Sequence, residues 1–465
     1  MSTEEDKPAK VSMQRLKTGS MQRNLALTRL GLGAGGQIMA HSLMNVFRGE
    51  VARSEANSSF YQHQARVLAD ELGQLKGSVM KAGQMLSLYG QYFLPPEAVD
   101  VLAELQDSTQ PVVWPVVEPV LEQCIGTRRM AELEIEQEPI GAASLGQVHR
   151  ARRRSDGLEL AVKIQYPGVA AAIDSDVRTL SRILIVSRLA PKGLNLKPVF
   201  AEVQEMLHRE VDYQLERQFT EDYARRLADD PRFVVPRVLG EYSGDKVLTT
   251  TFERGVSVRH ASVAALPQAR RNRLAAAMVD LFLQEFFDWH QVQSDPNFGN
   301  YRFRLGDRAE DDRIVLLDFG ATRRFKASFV DAYSDIVRGA VHREPRRVIH
   351  GAGAIGLMQE KFPQPVLDAF VHMCDLIVEP FNDHVQDGTP PNLLNAAGEY
   401  RWAASDLPMR ATNVAARNAL SIYFRVPPRE IVFLHRRLAG VFVICAALGA
   451  EFNARDSLLK TLNGR

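Results

Sequence analysis

The 465-residue chain has only three cysteines, Cys124, Cys374 and Cys445, scattered without metal-ligand spacing. That excludes a disulfide-stapled scaffold and a thiolate metal centre, and it suits a reduced compartment with buried, inert thiols. Net charge is scarce too. Lys plus Arg (57) against Asp plus Glu (56) leave +1, so no broad electrostatic footprint for nucleic acid is expected. Long apolar runs are also missing. The most apolar stretch, 438–448, is shorter than the about 20 residues a bilayer span needs. It is flanked by Arg436, Arg437 and Glu451 and reads as a buried core helix. The opening Met1-Ser2-Thr3-Glu4-Glu5-Asp6 is acidic and polar, which argues against a secretory signal or an Arg-rich transit peptide. A cytoplasmic location is expected, with peripheral contact at the inner face of a membrane left open.

What is present is a 45% apolar chain of mixed charge, long enough for two or three packed units. Residues 24–48 are Gly-, Ala- and Met-rich and amphipathic, and 62–88 carry Leu68, Leu72, Leu75 and Val79 at helical spacing. Pro95-Pro96 stops that run; further helices are expected over Glu97–Gln106 and from Pro115 to Cys124. Short strands follow over Leu133–Ile140, Gln147–Arg152 and Leu158–Gln165, with a turn at Asp156-Gly157. A helix-rich segment runs to Arg226, strand character returns at Phe233–Leu239 and Lys246–Phe252, and the chain from Ala265 reads mostly helical. The expected organisation is an extension over 1–55, a helical segment over 56–130, a small sheet-containing lobe over 131–252 and a larger helical lobe over 253–465.

The chemistry concentrates in two places. Asp295 and Asn300 are five apart, as in a catalytic loop where an aspartate orients the phosphoryl acceptor and an asparagine holds Mg²⁺. Downstream, the apolar run Ile314–Leu317 reads as a buried strand leading into Asp318-Phe319-Gly320, whose carboxylate supplies the oxygen ligand that hard Mg²⁺ prefers. Upstream, Lys163 in Leu160-Ala161-Val162-Lys163-Ile164 stands where a strand lysine contacts nucleotide phosphates. An apolar-strand lysine can also simply snorkel to solvent. Its carboxylate partner is left open among Glu210, Asp212 and Glu216, each of which also suits a solvated helix face. Two departures stand against an ordinary protein kinase. The hairpin reads Gly141-Ala142-Ala143-Ser144 where glycines would let backbone approach phosphates, and no Ala-Pro-Glu follows Asp318.

Together with Lys81-Ala82-Gly83-Gln84, these motifs resemble, in order, the UbiB family of atypical kinase-like proteins over roughly residues 60–450. The Gln-x-Asp-Pro-Asn form at Asp295 looks more like its coenzyme Q branch than the His-Ala-Asp-Pro form of many bacterial members. The resemblance implies an α+β, protein-kinase-like two-lobed fold, with the Lys-x-Gly-Gln helices as an N-terminal extension over the cleft that occludes peptides. It implies ATP and Mg²⁺ as cofactors, with Lys81 and Asp295 beside Lys163 in the catalytic set and Gln84 supporting. By similarity Lys81 pairs with Glu210 and Lys163 with Glu216. By position only, the adenine-contacting hinge falls near Thr251-Phe252-Glu253.

The expected function is a Mg·ATP-binding ATPase or small-molecule or lipid kinase supporting ubiquinone biosynthesis. Its expected partners are quinone or phenolic lipid intermediates and their enzymes, with peripheral membrane contact and no nucleic acid. The alternatives are a nucleotide-gated scaffold, or lipid-binding pseudokinase, and an ordinary Ser/Thr kinase. Gly31-Leu32-Gly33-Ala34-Gly35-Gly36 matches a dinucleotide fingerprint in letters only, because no strand precedes it.

Overall fold

The computed structural model describes residues 81–83, 85–86, 111–142, 145–186, 197–383, 389–411, 414 and 428–464. The amphipathic stretch at 24–48, the glycine run at 31–36, most of the helical run at 62–88 and the helix at 97–106 lie outside them. The chain divides into two compact units, Met1–Gln218 with Arg237–Phe252, and Phe219–Pro236 with Glu253–Arg465.

In the first unit, α1 (Trp114–Ile125) begins with Pro115 in its first turn, where the missing N–H costs nothing, and α2 (Thr127–Ala131) follows. Three antiparallel strands come next, β1 (Leu133–Ala142), β2 (Gly146–Arg153) and β3 (Glu159–Gln165). Pro139 interrupts the β1 register, which an edge strand tolerates. The β2–β3 turn closes at Asp156-Gly157: Gly157 adopts φ 73°, and Asp156 Oδ1 accepts the Leu158 N–H at 3.1 Å. Helices α3 (Val169–Val186) and α4 (Lys197–Glu210) follow, then α5 (Tyr213–Arg226), whose residues from Phe219 on belong to the second unit. After β4 (Phe233–Val234), which belongs to the second unit, β5 (Val247–Thr251) completes a four-stranded sheet in the order β1-β2-β3-β5.

Behind this sheet sits a small polar network. Val112 N–H donates to the Gln147 side-chain oxygen at 2.9 Å, and the Gln147 amide returns a bond to Val112 O at 3.1 Å. That amide also contacts His149 Nε2 at 2.8 Å, while His149 Nδ1 reaches Glu136 O at 2.8 Å. Burial holds the imidazole below its usual pKa, so the neutral ring donates from Nδ1 and accepts at Nε2.

The second unit forms around α7 (Gln268–Leu283), which follows the single-turn α6 (Ala261–Ala264). Leu274, Ala275, Ala277, Met278, Val279 and Leu281–Leu283 are all buried, so α7 is covered almost all round. It ends in a π-turn over Gln284–Asp288, and His290 at φ 51° reverses the chain into β6 (Gln291–Gln293). Strands β7 (Tyr301–Arg304) and β8 (Arg313–Leu316) pair antiparallel, β4 lies parallel to β8, and β6 pairs with β9 (Thr322–Arg324). Four short strands therefore lie in a region whose sequence reads mostly helical, and of these only β8, the apolar run leading into Asp318, reads as a strand. The other three have only three or four residues, too few for a two-residue alternation to show.

Helices α8 (Ala327–Val341), α9 (Pro345–Ala354), α10 (Gln364–Ile377), α11 (Arg429–Ala447) and α12 (Arg455–Asn463) complete the unit. The apolar run 438–448 forms the C-terminal part of α11 and its cap; Leu438, Gly440, Val441, Ile444, Cys445 and Leu448 in it are buried, whereas Val443 is exposed. Cys374 is likewise buried, whereas Cys124 is half-buried. Among the described residues no helix is long and apolar enough to cross a membrane.

One half-buried imidazole is expected to make the second unit acid-sensitive. His435 Nε2 lies 3.0 Å from the Tyr333 hydroxyl, and burial lowers its pKa from 6.5 to about 4. The unfolded chain therefore takes up the proton first as pH falls. Its contribution is complete above about pH 6.5 and lost toward pH 4, up to about 3 kcal/mol. Urea melts between pH 7 and 4.5 should show this decline, and His435→Phe should flatten it.

Candidate functional site

In the first unit the site is built on β3. Leu160, Val162 and Ile164 are buried, so strand alternation turns Lys163 to the opposite face. There its Nζ donates to both oxygens of Glu216, at 2.7 and 2.8 Å, and lies 5.2 Å from the centre of the Tyr213 ring. Glu216 comes from the first turn of α5, where the helix end also favours a carboxylate. Its side chain is only 4% exposed, so the pair is nearly dry and each charge needs the other.

The three carboxylates left open by the sequence have three different tasks. Glu210 accepts Lys81 Nζ at 2.7 Å. Asp212 Oδ1 accepts the Leu215 N–H at 2.9 Å and so caps α5. Glu216 takes Lys163. Between them Val211 O accepts the Gln165 amide at 2.8 Å, tying this segment to the end of β3.

Gly141 and Ala142 end β1, opposite Val148 and Gln147. Nothing lies within 4 Å of where a Cβ on Gly141 would stand. Ala143, Ser144 and Gln84 lie outside the described residues. Thr251 ends β5, and its hydroxyl accepts the Arg237 N–H at 3.0 Å.

In the second unit Glu253 forms an ion pair with Arg304 at 2.6 Å. The other expected residues converge. Asn300 Nδ2 donates to Asp295 Oδ2 at 3.0 Å, and Asn300 O accepts the Leu317 N–H at 3.0 Å, one residue before Asp318. Asp318 Oδ1 accepts the Gly320 N–H at 2.9 Å, closing the turn after β8. Phe319 is buried, its ring 4.5 Å from that of Tyr223.

Two residues outside the expected set complete the arrangement. The Gln293 amide donates to Asp318 O at 3.1 Å and accepts the Asp295 N–H at 3.2 Å, bridging the two aspartate segments. In the sequence Gln293 stands out only as a departure from the histidine of many bacterial members. Arg436 Nη2 donates to Asp295 Oδ1 at 2.7 Å from 141 residues away, a separation at which no local spacing could signal it.

The chemistry of this donor set fits a hard cation. It offers carboxylates and the Asn300 side-chain carbonyl, which remains an acceptor because the amide nitrogen is turned to Asp295. Mg²⁺ takes one or two such carboxylates together with phosphate oxygens. Lys163 is a compact ammonium suited to phosphate.

Residues 104–351 match the family model described as ABC1 atypical kinase-like domain. The chain is 29% identical over 461 residues to "Atypical kinase COQ8, mitochondrial" of Schizosaccharomyces pombe, covering 98% of this chain and 71% of that protein. It is 32% identical over 433 residues to "Atypical kinase COQ8B, mitochondrial" of Rattus norvegicus, covering 92% and 76%. Among solved structures it resembles Rv3197 from Mycobacterium tuberculosis, determined with erythromycin. The TM-score is 0.57 and the identity 24%, over 87% of this chain and 97% of that one. That likeness shows the fold.

Proposed function

The chain belongs to the UbiB family of ABC1 atypical kinase-like proteins, and from that premise we propose an ATP-dependent atypical kinase or ATPase that supports coenzyme Q biosynthesis. The observation that carries the reading is the convergence of Asp295, Asn300 and the Asp318 segment in the second unit.

In this reading Asp318 and Asn300 hold Mg²⁺, and Asp295 orients the acceptor, water or a substrate hydroxyl. Bound magnesium supplies charge that offsets the negative phosphates. Lys163, kept in place by Glu216, contacts phosphate, and Gly141–Ser144 covers it. Lys81, held by Glu210 and accompanied by Gln84, guards the site against peptides. Thr251 and Glu253 are assigned to the adenine-contacting hinge by position. The short path from β9 to α8, Phe325 and Lys326 only, leaves little room for a peptide platform and favours a small or lipid-like acceptor. Quinone or phenolic lipid intermediates at a membrane surface fit that class.

The test is phosphate release from Mg·ATP by the full chain, with and without anionic liposomes and quinone-like phenols. Release that rises with either addition is expected. Tight Mg·ATP binding without release in any condition would instead favour a nucleotide-gated scaffold. Robust phosphorylation of a peptide panel in trans would point to an ordinary protein kinase.

A further inference from the structure

Helix α11 meets the loop carrying Asp295 at two points one turn apart. Arg436 Nη2 reaches Asp295 Oδ1 at 2.7 Å, both side chains being mostly buried. Four residues on, Gly440 lies against Pro296: a Cβ there would overlap Pro296 Cβ and stand 3.1 Å from its Cα. Positions i and i+4 share a helix face. One face of α11 thus presents a guanidinium to residue 295 and bare backbone to residue 296. The helix cannot readily turn away, because the neighbouring Arg437 is paired with Glu285 and both are 1% exposed. The second Asp295 oxygen is taken by Asn300. The Asp295 carboxylate is therefore held from α11 on one side and by Asn300, just ahead of β7, on the other.

We propose that Arg436 and Gly440 are positioning residues that brace Asp295 in its reactive orientation. The bidentate-capable, planar guanidinium fixes one carboxylate oxygen, and the missing side chain at 440 lets the helix backbone approach closely enough for it to do so. Neither residue has a place in the motifs that carry the nucleotide chemistry. The proposal rests on the reading of Asp295 as the group that orients the acceptor.

The experiment compares the full-length chain with Arg436→Gln, Arg436→Lys and Gly440→Ala. It measures kcat and KM for Mg·ATP, Kd for Mg·ATP, and hydrogen–deuterium exchange. A displacement of about 1 Å can cost about a hundredfold in rate, so Arg436→Gln should lose about that much kcat and Gly440→Ala about tenfold. KM and Kd should stay within about twofold, since the brace acts on orientation and not on nucleotide binding. Lysine, which keeps the charge, should recover part of the Arg436→Gln loss. Exchange should rise over residues 293–301 and stay unchanged in α7. Unchanged kcat in folded variants, a Kd that weakens in step with kcat, or exchange that rises across the whole unit would each overturn the brace. If the unmodified chain releases no phosphate, the functional reading has failed separately. The exchange measurement still decides the brace, and no local rise over 293–301 sinks it.

Discussion

Replacing Asp318 with asparagine is expected to lower Mg·ATP turnover by on the order of a thousandfold with the fold intact. The substitution isolates charge from geometry. Asp318 Oδ1 accepts the Gly320 N–H at 2.9 Å, and an asparagine oxygen can accept the same bond, so the turn after β8 keeps its shape. Phe319 remains buried against Tyr223, and the Gln293 bridge uses the Asp318 main-chain carbonyl, which the exchange leaves untouched. What disappears is the negative charge, and with it most of the attraction for a divalent cation. Phosphate release should fall across the whole magnesium range, while the melting temperature moves by no more than about 2 °C. Turnover within threefold of the unmodified chain would remove Asp318 from the proposed metal site. Asp318→Ala is the less informative change, because it also deletes the acceptor for Gly320 and so mixes chemistry with stability.

How much of this was legible depends on whether a residue's role is local. The β2–β3 hairpin was readable because Leu160, Val162 and Ile164 alternate and Asp156-Gly157 marks its turn. The C-terminal part of α11 was readable because its apolar run is long enough to show. Strands β6 and β9 were not, because three residues carry no period and exist as strands only through their pairing with each other, whereas β4 falls at the start of the strand expected over Phe233–Leu239. The same division runs through the site. Asp295 and Asn300 are five apart in sequence and do meet. Which of Glu210, Asp212 and Glu216 serves Lys163 depends on where α5 begins, and a cap at Asp212 sets that start. The residues alone left that choice open; the family resemblance suggested the pairs Lys81–Glu210 and Lys163–Glu216, and both contacts are present. Arg436 and the bridging amide of Gln293 act across the fold, and nothing in their immediate sequence announces it.

The largest stability effect is expected at Glu285→Gln, which should cost the second unit about 3–5 kcal/mol. Glu285 sits in the π-turn that ends α7, 1% exposed, with Arg437 Nε donating to its Oε2 at 2.8 Å. Its other oxygen accepts the Tyr223 hydroxyl at 2.9 Å and, more weakly, the Gln293 N–H at 3.4 Å, while Arg437 also bonds the Tyr301 hydroxyl. Burial raises the Glu285 carboxyl pKa, and the Arg437 guanidinium opposes that rise. Glutamine keeps the shape but leaves a dry guanidinium without its counter-charge, and arginine cannot shed a proton to escape. Arg437→Met should cost less, because the abandoned carboxyl can neutralise itself by taking up a proton. The order of the two single variants is thus set by which partner can discharge. The double variant Glu285→Leu with Arg437→Met should recover most of the loss, since a well-packed apolar pair has no desolvation cost to offset. Thermal melts would read the first change as a fall of about 10 °C. A double variant no better than Glu285→Gln alone would mean that the pair's hydrogen bonds to Tyr223 and Tyr301, and not its charges, hold this part of the unit together.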